Sequence, residues 1–267
     1  MGRSSRARRR DPIRHPIPAA RTVAATKNSW KPDLTEAGLA GGWPFGDGFL
    51  IRPAAVGDLD AIAELVPEAG VKLENEVRTA VEEGTLGAGL RASLRGGKDE
   101  FLRHMAETFF AHQGTGRFDQ ALLHTGLVLV AEHEQHGIVA ALIAHPPTHM
   151  LSDLAQHAGP QTRSGRDLVL AGAIGMARIR AVVVREQVRR HGVGAAMVRL
   201  CRLIYAAAGF FIVYGQMPPR PGLDLFYRSC GLLVQPPGTG LDAWVVTGFN
   251  TNIQPGADER IFIWRKP

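Results

Sequence analysis

Apolar residues recur along the chain with two periods, and the switches between them divide the sequence into elements. Phe49 to Arg52 is a short strand-like run that Pro53 ends. Asp58 is then placed to cap a helix whose Leu59, Ile62, Leu65 and Val66 recur at helical spacing. Two further helical patterns cover 71–96 and 99–112; the second lines up Leu102, Met105 and Phe109 and carries its acids in the first turn. The period then shortens. Leu127 to Ala131 and Ile138 to Ala144 are apolar runs joined by a polar turn closing at Gly137, the signature of a hairpin.

Residues 146–166 read as a loop with at most one helical turn, and strand-like sequence resumes over Leu168 to Val184. A helix is predicted from Val193 to Ala207, with Val198, Leu200, Leu203 and Ile204 as its apolar positions. "FFIVYG" reads as a strand, "GLDLFYRSC" as a short helix, and "WVVTGF" and "IFIWRK" as late strands. Strands and helices in this mixed order predict an α+β protein rather than a doubly wound one.

Charge changes the picture at one end only. Residues 1–31 hold nine of the 31 Lys/Arg and one of the 25 Asp/Glu, so they carry +8, and the remainder, with 22 basic against 24 acidic residues, carries −2. The sequence pI of 9.8 therefore belongs to the N-terminal segment. With its prolines and charges, residues 1–48 read as a disordered basic tail, and 49–267 as the folded domain. Weak, salt-sensitive contact with nucleic acid is expected only through that tail. No apolar core follows the arginines, which argues against a secretory signal; an Arg-rich transit peptide is a minor alternative. No run of 18 uninterrupted apolar residues occurs, since Arg178 and Arg180 break the longest candidate, so no membrane partner is expected. Two cysteines, Cys201 and Cys230, give no disulfide framework, and a reducing, cytoplasmic location is expected.

The chemistry concentrates in "AVVVREQVRRHGVGAAMVRL", residues 181–200. A β-branched run meets a cationic turn bearing Gly192 and Gly194, and a helix opens behind it. A helix N-terminus presents unpaired N–H groups and partial positive charge, and glycine permits close approach of an anion. Simple relief of crowding at a helix entry is the alternative for the same residues. A dinucleotide fingerprint fails, because its third glycine position holds Met197 and no acid lies about twenty residues on. A phosphate loop of the Gly-Lys-Ser/Thr kind is also missing. "EHEQH" offers His133, Glu134 and His136 but lacks metalloprotease spacing, and no metal site is expected.

"VVVREQVRRHGVGAAMV", with Arg189-x-x-Gly192-x-Gly194, resembles the acyl-CoA-binding motif of the GNAT superfamily of N-acetyltransferases. "FLIRPAAVGDLDAIAELV" resembles that family's first strand and helix. The hairpin "LVLVAEHEQHGIVAALIAHP" resembles its second and third strands, and "LDLFYRSCGLLV" its late helix. The segments span about residues 49–235 in family order. The resemblance implies a mixed, mostly antiparallel twisted sheet flanked by helices, with an extra helical insertion over 67–123 beside the acceptor groove.

It also implies acetyl-CoA as co-substrate and direct transfer of its acetyl group to a primary amine of a small molecule or protein. The backbone of Val182 and Val184 would meet the pantetheine arm. Arg189, Arg190, Gly192, Val193, Gly194 and Ala195 would hold the pyrophosphate, and Tyr227 would be the general acid. Two departures stand out. "MPPRPG", with Arg220, replaces the region where the family often has an asparagine, and "ARIRAVVV" lacks the glutamate often found on the preceding strand. Glu132 and His145 are weak substitutes as general base. A non-catalytic acyl-CoA-binding module and a nucleic-acid-associated regulator remain as other readings. Acceptor identity and oligomeric state are not written in the sequence.

Overall fold

The fold was analysed in a computed structural model that describes residues 30–46, 48–112, 118–151, 172, 174–247 and 252–267. Eight strands form one sheet in the order β1 (Trp43–Phe45), β2 (Phe49–Pro53), β3 (Leu127–His133), β4 (Gly137–His145), β5 (Met176–Val184), β6 (Ile212–Met217), β10 (Arg260–Arg265) and β7 (Leu233–Val234). Every pairing is antiparallel except β5 with β6. The remaining strands, β8 (Leu241–Asp242) and β9 (Asn252–Ile253), pair with each other. This is the mixed, mostly antiparallel α+β sheet expected.

The helices are α1 (Glu36–Gly41), α2 (Leu59–Leu65), α3 (Asn75–Glu82), α4 (Ala88–Ala111), α5 (Phe118–Leu123), α6 (Val193–Ala207), α7 (Leu223–Ser229) and α8 (Trp244–Thr247). On one face of the sheet, Leu129, Leu142, Ala177, Ile179 and Val213 pack with Leu90, Met105, Val198 and Ile204 of α4 and α6. On the other, Val130, Ile143, Ala181 and Val183 pack with Ile62, Leu65 and Val77 of α2 and α3. Helix α6 is buried almost all round, as its apolar content requires.

Tyr205 anchors that helix to the sheet. Its fully buried hydroxyl lies 2.9 Å from the Thr125 carbonyl and 3.1 Å from that of Ala144. Tyr205→Phe keeps the ring but leaves both carbonyls without this donor. We expect a loss of about 1–3 kcal/mol, read as a lower denaturant midpoint at unchanged slope.

Several sequence expectations need correction. The tail reading of 1–48 fails over its last third, because Thr35 caps α1 through its hydroxyl (3.0 Å to Gly38 N) and β1 joins the sheet. Leu39, Trp43 and Phe45 are buried, and the Trp43 indole donates to Asp33 O at 2.6 Å. Residues 1–29 lie outside the described residues. Deleting residues 1–40 therefore removes Trp30, Leu34 and Leu39 from the core, whereas a cut after 29 spares every described contact. The longer deletion should lower the melting temperature by on the order of 10 °C in calorimetry, and the shorter one by much less.

The helical patterns over 71–96 and 99–112 resolve into α3 and α4, with a break at 83–87 and a kink at Gly97, where the backbone turns to φ 70°. Leu102 is exposed, and Phe101 takes its place beside Met105 in the core. Asp58 makes no side-chain cap for α2; its carboxylate takes the Ala55 N–H (2.8 Å) and the Arg52 guanidinium. The strand expected from Leu168 begins at Met176; residues 168–171 lie outside the described residues. "WVVTGF" is not a strand over 244–247, because the Asp242 carboxylate accepts from Trp244 N at 2.8 Å and starts a helical turn.

Candidate active site

Strands β5 and β6 begin as a parallel pair and then part. Their register runs from Met176–Ile212 to Ile179–Gly215 and stops. Beyond it, β6 continues on β10 alone, and β5 on β4 alone. A bulge accompanies the parting: Ile143 pairs with Ala181 and Ala144 with Ile179, leaving Arg180 as the extra residue. Arg185 N donates to Val139 O (2.8 Å), so by antiparallel alternation Val183 also bonds toward β4. The N–H and C=O of Val182 and Val184 therefore point into the gap between β5 and β6.

That gap is the floor of a cleft of about 1130 Å³. Its far wall is the turn into α6. Arg190 (φ 68°) and Gly192 (φ 86°) both adopt the left-handed conformation, which turns the chain sharply enough to aim the first turn of α6 at the cleft. The first intrahelical bond there is Ala196 N to Gly192 O, so the N–H groups of Val193, Gly194 and Ala195 have no partner within the helix. Among the described residues lining the cleft are five arginines (Arg180, Arg189, Arg190, Arg199 and Arg220) and a single acid, Glu68. The electrostatics of the cleft suit an anion.

Arg189 is partly committed. Its Nε donates to Val184 O at 2.9 Å and its Nη2 to Glu68 at 2.9 Å, so it braces the strand end as well as lining the cleft. Tyr227 of α7 also lines the cleft. Its ring lies flat on Phe262, with centroids 3.6 Å apart and 10° between the planes. Phe262 reaches that position over Gly215, where any Cβ would overlap the Phe262 ring. Burial raises the Tyr227 phenol well above its ordinary range, so it keeps its proton at neutral pH. Burial likewise raises the thiols of Cys201 and Cys230, both free and buried, which leaves neither as a ready nucleophile.

No family model and no curated protein matches the sequence. Among solved structures, the chain is similar to a GNAT superfamily phosphinothricin acetyltransferase from Sinorhizobium meliloti in complex with acetyl-CoA, at 14% identity and TM-score 0.40, over 82% of this chain and 89% of that one. It is similar to polyamine N-acetyltransferase from Drosophila melanogaster at 15% identity and TM-score 0.41, over 82% of this chain and 100% of that one. A third is the ribosomal-protein-S18-alanine N-acetyltransferase from Escherichia coli, at 11% identity and TM-score 0.39, over 81% and 93% of the two chains. All three solved structures are of acetyltransferases, and the first is of the GNAT superfamily.

The residues expected from the GNAT resemblance come together. Val182, Val184, Arg189, Arg190, Gly192, Val193, Gly194, Ala195 and Tyr227 all line the one cleft. The two weak candidates for general base do not. Glu132 lies on β3, where its carboxylate accepts from Arg52 at 2.9 and 3.0 Å. His145 is buried at the end of β4, with Nδ1 2.7 Å from Pro146 O. His133 and His136 stack on each other at the hairpin turn, and no group of three metal-ligating side chains occurs among the described residues. Among the same residues, no helix is long and apolar enough to cross a membrane.

One polar group went unseen in the sequence. Glu74, just ahead of α3, accepts from Arg180 Nη2 at 2.8 Å and lies 3.4 Å from His145 Nε2. The His145 contact is at ion-pair distance but off the hydrogen-bond direction, so Nε2 has no hydrogen-bond partner. The His145 ring and the Arg180 guanidinium together hold the Glu74 carboxyl down at about 2. The available signal was a pair of arginines at alternate positions in an otherwise apolar strand, "MARIRAVVV".

Proposed function

We propose that the chain is an N-acetyltransferase moving an acetyl group from acetyl-CoA to a primary amine of a small molecule or protein by direct transfer. The observation that carries this reading is the parting of β5 and β6 beside the N-terminus of α6, in a cleft rich in arginine. The backbone groups of Val182 and Val184 that face the gap, with the Val184 carbonyl already taking the Arg189 Nε–H, suit the amides of a pantetheine arm, which would add to β5 much as another strand does. The N–H groups of Val193, Gly194 and Ala195, with Arg189 and Arg190, suit a pyrophosphate. Acetyl-CoA, when bound, supplies the acetyl group as an activated thioester.

The chain's own contribution is positioning and one proton. Tyr227 Oη holds that proton at neutral pH and would give it to the sulfur as the C–S bond breaks, and the proton that the amine loses on becoming an amide would restore the phenol. Two buried cysteines with raised thiols favour direct attack by the amine over a covalent enzyme intermediate. The test is release of free thiol from acetyl-CoA in the presence of a panel of primary amines, with binding of acetyl-CoA measured beside it. Turnover on at least one amine is expected. Binding without turnover on any amine would make the chain an acyl-CoA-binding module instead.

A further inference from the structure

On the face of the sheet away from α6, β5 carries Arg178 and Arg180. Arg178 Nη2 donates to Gln216 Oε1 of β6, and Arg180 Nη2 to Glu74. The Nε groups of both are buried with no hydrogen-bond partner. The charged groups around them are few. Glu74 is shared between Arg180 and His145, and the Glu259 carboxylate, which acts on Arg178 from β10's end of the sheet, is bonded to Gly256 N at 3.0 Å. Arg178 thus has a neutral amide as its hydrogen-bond partner, and burial lowers its affinity for its proton. A partly buried guanidinium without a bonded carboxylate costs free energy, and its buried Nε–H is a donor that the one amide leaves unsatisfied.

The anion that suits this pair is not the phosphate of acetyl-CoA. Val184 lies four steps along the strand from Arg180, roughly 13 Å at about 3.3 Å per residue, and the turn into α6 lies on the opposite face. Arg180 and Gln216 nevertheless line the same cleft, at its other end, and Arg178 stands behind them, joined to the lining through its bond to Gln216. The bulge explains how. With Arg180 as the extra residue, Val182 and Val184 face α6 while Arg178 and Arg180 face α3.

Resting on the acetyltransferase reading above, we infer that Arg178 and Arg180 recognise the acceptor, and that the acceptor is an amine carrying its own anionic group, a carboxylate matching the planar guanidinium best. Amino acids or peptide ends with a nearby carboxylate fit; a polyamine, which brings only positive charge, does not. Charge-assisted hydrogen bonds contribute about 1.5–3 kcal/mol, which corresponds to a preference on the order of 10- to 100-fold.

The experiment is thiol release by the full chain with acetyl-CoA on matched acceptors. Amino acids are compared with their own carboxamides at equal concentrations of free amine, with spermidine alongside. The carboxylate form should show kcat/KM at least 10-fold above its amide, and spermidine should rank last. In Arg180→Gln the ratio of carboxylate to amide should fall close to one, and Arg180→Lys should restore part of it. The Kd for acetyl-CoA, measured on each variant, shows that the cleft is intact. Turnover without the preference, or a preference for spermidine, overturns this inference alone. Acetyl-CoA binding without turnover on any acceptor overturns the acetyltransferase reading and this inference with it.

Discussion

Replacing Gly192 with Asp raises the Kd for acetyl-CoA by at least two orders of magnitude and moves the melting temperature by only a few degrees. Gly192 has φ 86° and stands at the N-cap of α6. Aspartate is among the residues that tolerate left-handed backbone, at a cost of about 1–2 kcal/mol. What removes binding is the added side chain. Its Cβ obstructs close approach to the backbone and its carboxylate puts a like charge beside the pyrophosphate. Two unit charges about 4 Å apart near a protein surface repel by roughly 4 kcal/mol, which alone is nearly three decades in Kd. Isothermal titration of parent and variant decides the matter. Equal affinity would show that the anion site lies elsewhere.

Tyr227→Phe lowers kcat by about 10²-fold on whichever amine is accepted, with the Kd for acetyl-CoA unchanged. The Phe ring keeps the stack on Phe262, so the cleft wall survives and only the phenolic proton is lost. General acid catalysis contributes typically 10²–10⁴-fold. The lower part of that range applies for two reasons. Burial makes the phenol a weaker acid than usual, and a thiolate, with a reference pKa of about 8.5, departs readily without help. Rapid-quench turnover and titration on one preparation separate the roles. Unchanged kcat removes Tyr227 from the chemistry, and a raised Kd with unchanged kcat makes it a positioning residue.

Most of the sheet and one half of the candidate site were legible in the sequence, for physical reasons. Strands β3 and β4 are apolar at nearly every position because both faces of the sheet are covered, and such runs stand out without an alignment. The turn into α6 was legible because left-handed backbone calls for glycine at Gly192, and a β-branched run lies directly before it. What stayed hidden depends on distance along the chain. Glu74 and Arg180 are 106 residues apart, and no local period links them. The bulge at Arg180 is a property of two strands together. Residues 30–46 look like tail in the sequence because their apolar positions, Leu34, Leu39, Trp43 and Phe45, are few and set among charges and glycines. They dock as short pieces on a core built elsewhere. The two tryptophans, Trp30 and Trp43, were the overlooked signal, since large aromatic rings are scarce in disordered segments.

The most direct test of the central claim is a crystal structure of the full chain grown with acetyl-CoA. The account predicts the pantetheine arm between β5 and β6, bonded to the backbone of Val182 and Val184, with the pyrophosphate on the N–H groups of residues 192–195. Acetyl-CoA bound outside this cleft at saturating concentration would contradict it.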